Sequence, residues 1–541
     1  MIEIYVTDTA IAIKLPYAQR ERVKDIAGWS WDRMTKTWRF PPSPKIAHAI
    51  LEKFDGEAHI AVGDLQELAD KHTVREDVAH LKQGGAPLPD YASKTPPWDH
   101  QKTAFWFAMP QDAVMLAMDM GTGKSKVVAD LIHHWRAKKV LIICPLSVLG
   151  VWPRELARHC LTEVDVRTFK KGSVAKRAER AGLFVDANEA LGTPCAIVVN
   201  HEAAWRSDFG KFIKDYTWDV IVVDESHRAK DPKGRFSKFL GTLFTRGGKR
   251  LMLTGTPMPH SPLDVYAQYR FLDPGIYGTS YHRFKLRYAQ MGGFQGKQIL
   301  SYQREDELNE KFYSIAYRIT KDEALDLPEE VEMEVTATLG PKAAAMYADL
   351  EKDFYTAVEE GEVTVANALV QLLRLQQLTS GFIEYDEGEI EQVDDAKARL
   401  LHETLDDISV PAVVFCRFRR DLDVVSETAA SLGRTYGEVS GRRKDLTDDA
   451  TMPSDIDIMG VQIQAGGVGI DLSRASYALY YSTGFSLGDY KQSMSRVHRP
   501  GQLNKVTYIH LVLDATIDRK VYGALRSREQ VIEAILKRRN Q

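Results

Sequence analysis

The residues best suited to chemistry gather first at Met118–Ser125, read as MDMGTGKS. Gly121 and Gly123 allow a turn tight enough for successive backbone N–H groups to face one anion, and Lys124 and Ser125 then open a helix. Met120, Gly121, Thr122, Gly123, Lys124 and Ser125 therefore predict a phosphate cradle. Lys124 reaches the outer phosphates of a nucleotide and Ser125 offers its hydroxyl to Mg²⁺. The strict GxxxxGK[ST] spacing asks for glycine where this chain has Met118; a glycine turn before a buried helix would leave a similar trace. One hundred residues after Lys124 comes DESH, Asp224 to His227. An acid ending a buried strand, beside a phosphate loop on a neighbouring strand, would hold Mg²⁺. Glu225 would then orient or deprotonate the attacking water. Taken alone, two adjacent acids would read as a solvated turn.

These groups need a rigid frame. The apolar run Ala113–Met118 feeds the loop, and Val127, Val128, Leu131, Ile132 and Trp135 form one stripe of the helix behind it. Within 98–265, strands predicted at Val114–Met118, Val140–Cys144, Ala196–Val199, Val220–Val223 and Leu251–Leu253 alternate with helices, as in a parallel sheet covered on both faces. Strands become rare over 266–395, where long helical patterns at Ala343–Val358 and Val365–Leu378 predict a helical insertion. Alternation returns over 396–541, at Ala412–Phe415, Tyr477–Tyr481 and Val506–Leu511. Residues 1–81 predict a small α+β module: two strands around an Asp8–Thr9 turn, a short helix near Ala18–Ile26, a hairpin bearing Trp31, Trp38 and Phe40, and a helix capped by Ser43 and begun by Pro44. Residues 82–97, with Gly84, Gly85, Pro87, Pro89, Pro96 and Pro97, read as a linker.

The order of these segments resembles a known family. DHQ (Asp99–Gln101) is similar to the adenine-reading element of superfamily-two helicases, with Gln101 as the matching residue. LMLTGTP (Leu251–Pro257) resembles their third motif, which couples nucleotide state to DNA through Thr254 and Thr256. QAGGVGIDL (Gln464–Leu472) and QSMSRVHRPGQ (Gln492–Gln502) resemble the fifth and sixth motifs of Swi/Snf-like ATPases, the ending RxxRxGQ being characteristic of that branch. The resemblance spans about 95–515. It implies an α/β fold of two RecA-like parallel-sheet lobes with a helical insertion between them and a small α+β aminoterminal domain, and it implies Gln492 as a coupling residue. A helix Asp489–Arg499 would set Arg496 and Arg499 one turn apart on one face, where they could act as arginine fingers on the γ-phosphate when the lobes close. Ser495 stands where many members carry an acid.

The same resemblance implies a nucleic-acid track. The first lobe would contribute CPLSVLGVW (Cys144–Trp152, with Ser147) and NHE (Asn200–Glu202, with Asn200 and His201). The second would contribute FCRF (Phe415–Phe418, with Arg417) and the glycines Gly466 and Gly467. Such loops suit phosphate contacts that position a strand without reading its sequence; His201 could equally be a satisfied buried histidine. LRLQQLTSGF (Leu373–Phe382) is similar to a helical element of the insertion with which Swi/Snf-like motors grip duplex DNA. In the aminoterminal module, LPY, WD, KTW and FP (Leu15–Tyr17, Trp31–Asp32, Lys36–Trp38, Phe40–Pro41) resemble the HARP-type domain of annealing helicases, which engages forked or branched DNA. A small scaffold with tryptophans in its core is the alternative.

Composition bounds the rest. Of 541 residues, 44% are hydrophobic and 27% charged, and no run approaches the roughly 18 apolar residues of a membrane span. The start MIEIYVTD lacks a secretory pattern, and four scattered cysteines without CxxC indicate neither zinc nor a disulfide framework. The expectation is a cytoplasmic protein of a bacterium or phage-infected cell, a monomer without membrane partners. Net charge is −4, so any nucleic-acid groove must be locally basic; Lys170–Arg180, Arg246–Arg250 and Lys537–Arg539 are candidates, or simply solvated faces. All nine tryptophans lie in the first 218 residues, and no mechanism attaches to this. The expected function is ATP- and Mg²⁺-dependent translocation on double-stranded DNA that remodels or rewinds branched or forked DNA. Its rivals are a strand-separating DNA or RNA helicase and a non-catalytic DNA-binding adaptor.

Overall fold

Alternating isoleucines at the start of the chain fold into two antiparallel strands, β1 (Ile2–Thr7) and β2 (Ala10–Lys14), with Ile2, Ile4, Ile11 and Ile13 buried. The computed structural model describes every residue except 1, 8–9, 27, 80–87, 170–171, 294–297, 360–364, 386–388, 465–468 and 537–541, so the Asp8–Thr9 turn and the basic tail Lys537–Arg539 lie outside the described residues. The chain divides into two units, Met1–Ala324 with Ile532–Gln541, and Leu325–Val531.

In the first unit the aromatic hairpin forms from β3 (Ser30–Asp32) and β4 (Thr37–Phe40), with Trp31 directly opposite Trp38. A strand the pattern did not announce, β5 (Ala58–Val62), pairs parallel with β1 and completes the order β3-β4-β2-β1-β5. Helix Pro44–Phe54 buries Ile46, Ala47, Ile50 and Phe54 in this module's core. Ser43 does not act as the expected cap: its side chain makes no capping hydrogen bond and is buried where Gly275 approaches it. The expected helix near Ala18–Ile26 is a 3₁₀ turn, Tyr17–Gln19, followed by helix Arg20–Lys24.

The described part of the predicted linker, 88–97, is a strap laid on the body of this unit. The Tyr91 ring stacks on Phe105 at 3.8 Å and its hydroxyl donates to buried Asp130 at 2.8 Å. Trp106 Nε1 donates to the Pro89 carbonyl, and Lys94 Nζ to that of Ala157. Proline and glycine content alone does not announce this packing, which the Tyr91 ring and the hydrogen bonds of Trp106 and Lys94 supply.

Seven strands then build one wholly parallel sheet. After β6 (Ala113–Met118), β7 (Lys139–Cys144), β8 (Asp165–Thr168), β9 (Cys195–Asn200), β10 (Trp218–Asp224) and β11 (Gly247–Leu253), the chain makes a hairpin of β12 (Ala289–Gly292) and β13 (Gln298–Tyr302), and returns as β14 (Ala316–Ile319). The sheet order is β14-β6-β11-β10-β7-β9-β8. All six residues of β6 are buried, as expected of a strand covered on both faces.

The second unit holds another wholly parallel sheet. Its strands are β15 (Glu330–Ala337), β18 (Ala412–Cys416), β19 (Tyr436–Val439), β20 (Ile458–Gln462), β21 (Tyr477–Tyr480) and β22 (Val506–Leu513), ordered β15-β22-β21-β18-β20-β19; β16 (Phe382–Glu384) and β17 (Ile390–Gln392) form a separate hairpin. Helices Pro341–Glu359 and Val365–Thr379 match the long helical patterns. The reading of 266–395 as a strand-poor insertion needs correction, since six strands fall inside it. β14 is an edge of the first sheet and β15 an edge of the second. β15 escaped notice because Glu330, Glu332 and Glu334 imitate a solvated segment; they pair with His498, His510 and Arg519 respectively. No helix among the described residues is long and apolar enough to cross a membrane.

Candidate active site

The carboxyl edge of the first sheet brings the two chemical clusters together. Leu116 of β6 is level with Leu253 of β11, and Leu253 with Asp224 of β10. The glycine loop, the TGT segment and DESH thus leave three consecutive strands along one edge, where open α/β sheets bind ligands. Asp224 is not on the strand next to the phosphate loop, as the sequence suggested. β11 intervenes, which spaces β6 and β10 by about 10 Å.

Gly121 (φ +86°) and Gly123 (φ +84°) both take the left-handed backbone that glycine favours. Met118 is explained by its place: it is still in β6, buried and paired with Ile319, so the first motif position needs no glycine freedom. Thr122 is buried, and its hydroxyl donates to Asp119 O at 2.7 Å. Lys124 Nζ donates to the carbonyls of Met118 (2.7 Å) and Asp119 (3.1 Å), at the root of the loop. Ser125 is the second residue of helix Lys124–His134, and Met120 lies next to Gly255. Gln101 is 4% exposed, with both ends of its amide engaged: Oε1 accepts from Trp98 N at 3.0 Å and Nε2 donates to Thr122 O at 3.1 Å. It acts on the loop itself, and His100 Nε2 joins it on the same carbonyl at 2.8 Å. His100 was not legible as part of the site.

Asp224 ends β10 with its carboxylate held at both oxygens. Oδ1 accepts from Glu225 N at 2.9 Å and Oδ2 from the indole N–H of Trp152 at 3.1 Å. Crowding by protein, then the neighbouring charge of Glu225, raises its pKa against the opposing pull of Lys124. Glu225 is buried in left-handed backbone (φ +48°), a strain of the kind found at functional sites, and His227 Nδ1 lies 3.3 Å from its Oε2. Thr254 is a buried junction: its N–H donates to Leu116 O, while its hydroxyl meets His227 Nδ1 at 3.2 Å and accepts from Thr256 N at 3.0 Å.

The residues suit the groups they would hold. A Cβ at Gly123 would fall 2.2 Å from Gln101 Nε2, so the loop is shaped around a bare backbone at this position. Adjacent Asp224 and Glu225, with Asp224 driven towards its neutral form, offer hard oxygens short of positive charge, which is the donor set Mg²⁺ takes.

In the second unit, helix Leu487–Val497 ends before Arg499. His498 is extended (ψ 96°) and Pro500 disfavours helix at Arg499, so Arg496 and Arg499 do not share one helical face as expected. Arg496 is 5% exposed; Arg499 donates to Ile470 O at 3.0 Å and pairs with Asp471 at 3.5 Å. Ser495 turns its hydroxyl back to Gln492 O, on the same helix.

Of the expected nucleic-acid residues, Asn200 ends β9 and donates to Glu202 at 3.0 Å, while buried His201 donates through Nε2 to Asp224 O at 2.8 Å. Burial lowers the His201 pKa to about 4, keeping it neutral. Arg417 contacts the side-chain carbonyl of Gln376, so its guanidinium is partly committed inside the unit. Gly466, Gly467 and the Ser147 side chain lie outside the described residues.

Residues 29–380 match the model of the SNF2-related domain, more than half of the chain, and 396–501 match the helicase conserved C-terminal domain. A Danio rerio protein named chromodomain-helicase-DNA-binding protein 1-like is 25% identical over 449 residues, 79% of this chain and 42% of its own length. A Caenorhabditis elegans homolog of SWI/SNF-related matrix-associated actin-dependent regulator of chromatin subfamily A-like protein 1 is 26% identical over 507 residues, 88% of this chain and 69% of its own. This chain thus spans well under half of the first and about two thirds of the second. The solved Sulfolobus solfataricus SWI2/SNF2 ATPase core in complex with dsDNA is 22% identical, with 84% of this chain and 95% of that one covered and a TM-score of 0.40. On its matched domains, the chain belongs to the SNF2-related domain family, the Swi/Snf branch of superfamily-two ATP hydrolases.

Proposed function

We propose that this chain is an ATP-driven translocase on double-stranded DNA that remodels or rewinds forked or branched DNA. The observation that carries the reading is the single sheet edge shared by the glycine loop, Asp224–Glu225 and Thr254. The amides of Gly121–Ser125 hold the oligophosphate, and Lys124 exchanges the Met118 and Asp119 carbonyls for the outer phosphates. Asp224 and Ser125 would hold Mg²⁺, which would supply positive charge at the phosphates. Glu225 takes the proton of the attacking water, and Arg496 and Arg499 supply guanidinium charge in the hydrolysing state. Thr254, touching β6 and His227 at once, passes nucleotide state to the segment beyond Thr256. Residues 98–265 with β14, and 396–541 with β15, are the two motor lobes.

The branched-DNA preference is assigned to the aminoterminal module, whose hairpin exposes Trp31 (45%) and Met34 (95%) beside Arg39. An exposed tryptophan with a basic neighbour suits stacking on an unpaired base at a junction. The test is ATP turnover with duplex, single-stranded and forked DNA and with RNA at one fixed salt concentration, alongside strand displacement on a forked duplex. Duplex and forked DNA should stimulate turnover most, without displacement. Efficient displacement would favour a strand-separating helicase, and absence of turnover a DNA-binding adaptor.

A further inference from the structure

Two segments that the family resemblance assigns to the DNA track both end on Asp224 at the nucleotide site, one on its carboxylate and the other on its main-chain carbonyl. Helix Val151–His159 follows the short turn Leu146–Val148, and its Trp152, 2% exposed, reaches 3.1 Å from Asp224 Oδ2 through the indole N–H. His201 follows the last residue of β9 and, 3% exposed, holds the Asp224 main-chain carbonyl at 2.8 Å. A third tie is weaker: Glu202, beside His201, lies 3.8 Å from Arg228, just past DESH. The loops themselves face outward, with Leu146 67% exposed.

We propose that Trp152 and His201 are positioning residues that couple nucleic-acid contact to the pose of Asp224, an inference that rests on the translocase reading. Trp152 fixes the carboxylate's rotation by binding one oxygen while Glu225 N binds the other. Both donors are neutral, so they orient the carboxylate without consuming the charge that a cation requires. A lysine in place of Trp152 would neutralise it. Because neither side chain faces solvent, DNA acts through them only by shifting the turn Leu146–Val148 or the segment from Asn200. Either shift moves a hydrogen-bond donor at Asp224, and through it the oxygen offered to Mg²⁺. By linkage, nucleotide with Mg²⁺ must then alter DNA affinity by the same factor.

The test reads binding rather than turnover. Duplex affinity is measured by fluorescence anisotropy with and without a non-hydrolysable ATP analogue and Mg²⁺, at fixed salt, for wild type, Trp152→Phe and His201→Gln. Trp152→Phe keeps an aromatic ring while removing the N–H together with the second ring of the indole. The expected result is a wild-type ratio of affinities of about fivefold or more, falling towards one in both variants, with nucleotide-free duplex affinity and Tm retained. His201→Gln serves as the second, independent break should Trp152→Phe lower Tm. A wild-type ratio retained in both folded variants overturns the inference while leaving the translocase intact. Absence of duplex binding by wild type overturns both.

Discussion

Gly123→Ala tests whether the phosphate loop depends on a bare backbone. At φ +84° any side chain incurs a left-handed penalty of about 1–2 kcal/mol. The new methyl would also lie 2.2 Å from Gln101 Nε2 and 3.3 Å from its Cδ, inside a buried contact. Moving Gln101 aside gives up its hydrogen bonds to Trp98 N and Thr122 O, at about 1 kcal/mol each. The expected loss is therefore about 3–4 kcal/mol, concentrated at the loop, with nucleotide affinity falling at least tenfold. Urea unfolding and titration with a fluorescent nucleotide measure both. Gly150→Ala is the control, because nothing lies within 4 Å of a methyl there and φ is −85°; it should change stability by less than about 0.5 kcal/mol. Adding Gln101→Ala to Gly123→Ala should relieve the collision but not the backbone penalty. A Gly123→Ala protein with unchanged unfolding midpoint and nucleotide affinity would refute the reasoning.

Glu225→Gln should lower DNA-stimulated turnover at least 100-fold while nucleotide binding persists, as phosphate release and equilibrium binding will report. Trp31→Ala with Met34→Ala should leave duplex-stimulated turnover within twofold and reduce preference for forked over linear DNA, read by competition binding. Glu307 is held down to about 2 by hydrogen bonds from Arg287, Lys311 and Tyr288, with Arg287 foremost. A depressed carboxylate stabilises the fold fully above its unfolded value near 4.5 and loses that contribution as pH falls towards 2. Glu307→Gln should thus cost roughly 1–2 kcal/mol at pH 7, after allowance for solvent screening, and about half of that or less at pH 3, by urea midpoints. Tyr91→Phe should cost about 1–2 kcal/mol, because Asp130 is buried and its Oδ2 loses one of two partners, Tyr91 and Lys126.

The parallel strands nearest the chemistry were legible because burial on both faces writes them as unbroken apolar runs. Val220–Val223 ahead of DESH and Ala113–Met118 ahead of the glycine loop are of this kind. Edge strands carry no such mark. β5 exposes His59, Ile60, Ala61 and Val62, and β15 places glutamates at 330, 332 and 334 whose partners, His498, His510 and Arg519, only the fold supplies. Arg499 was misplaced because helical spacing was carried through to the residue before Pro500. The site's acids, lysine and glycines could be read from type and spacing. A satisfied, buried His201 was one of the readings the sequence allowed, but its partner Asp224, and the roles of Trp152 and His100, were not legible, since their partners are distant in sequence and no local pattern announces them.

Each large sheet takes its outermost strand from the stretch between the two groups of motifs, β14 ending at Ile319 and β15 starting at Glu330. Anyone separating the halves should therefore cut between 320 and 329. A cut at 265 would strip β6 of β14, and one at 395 would strip β22 of β15; either would expose a row of unsatisfied amides and carbonyls as a template for self-association. Solubility of the isolated halves thus becomes a direct readout of where each one truly ends.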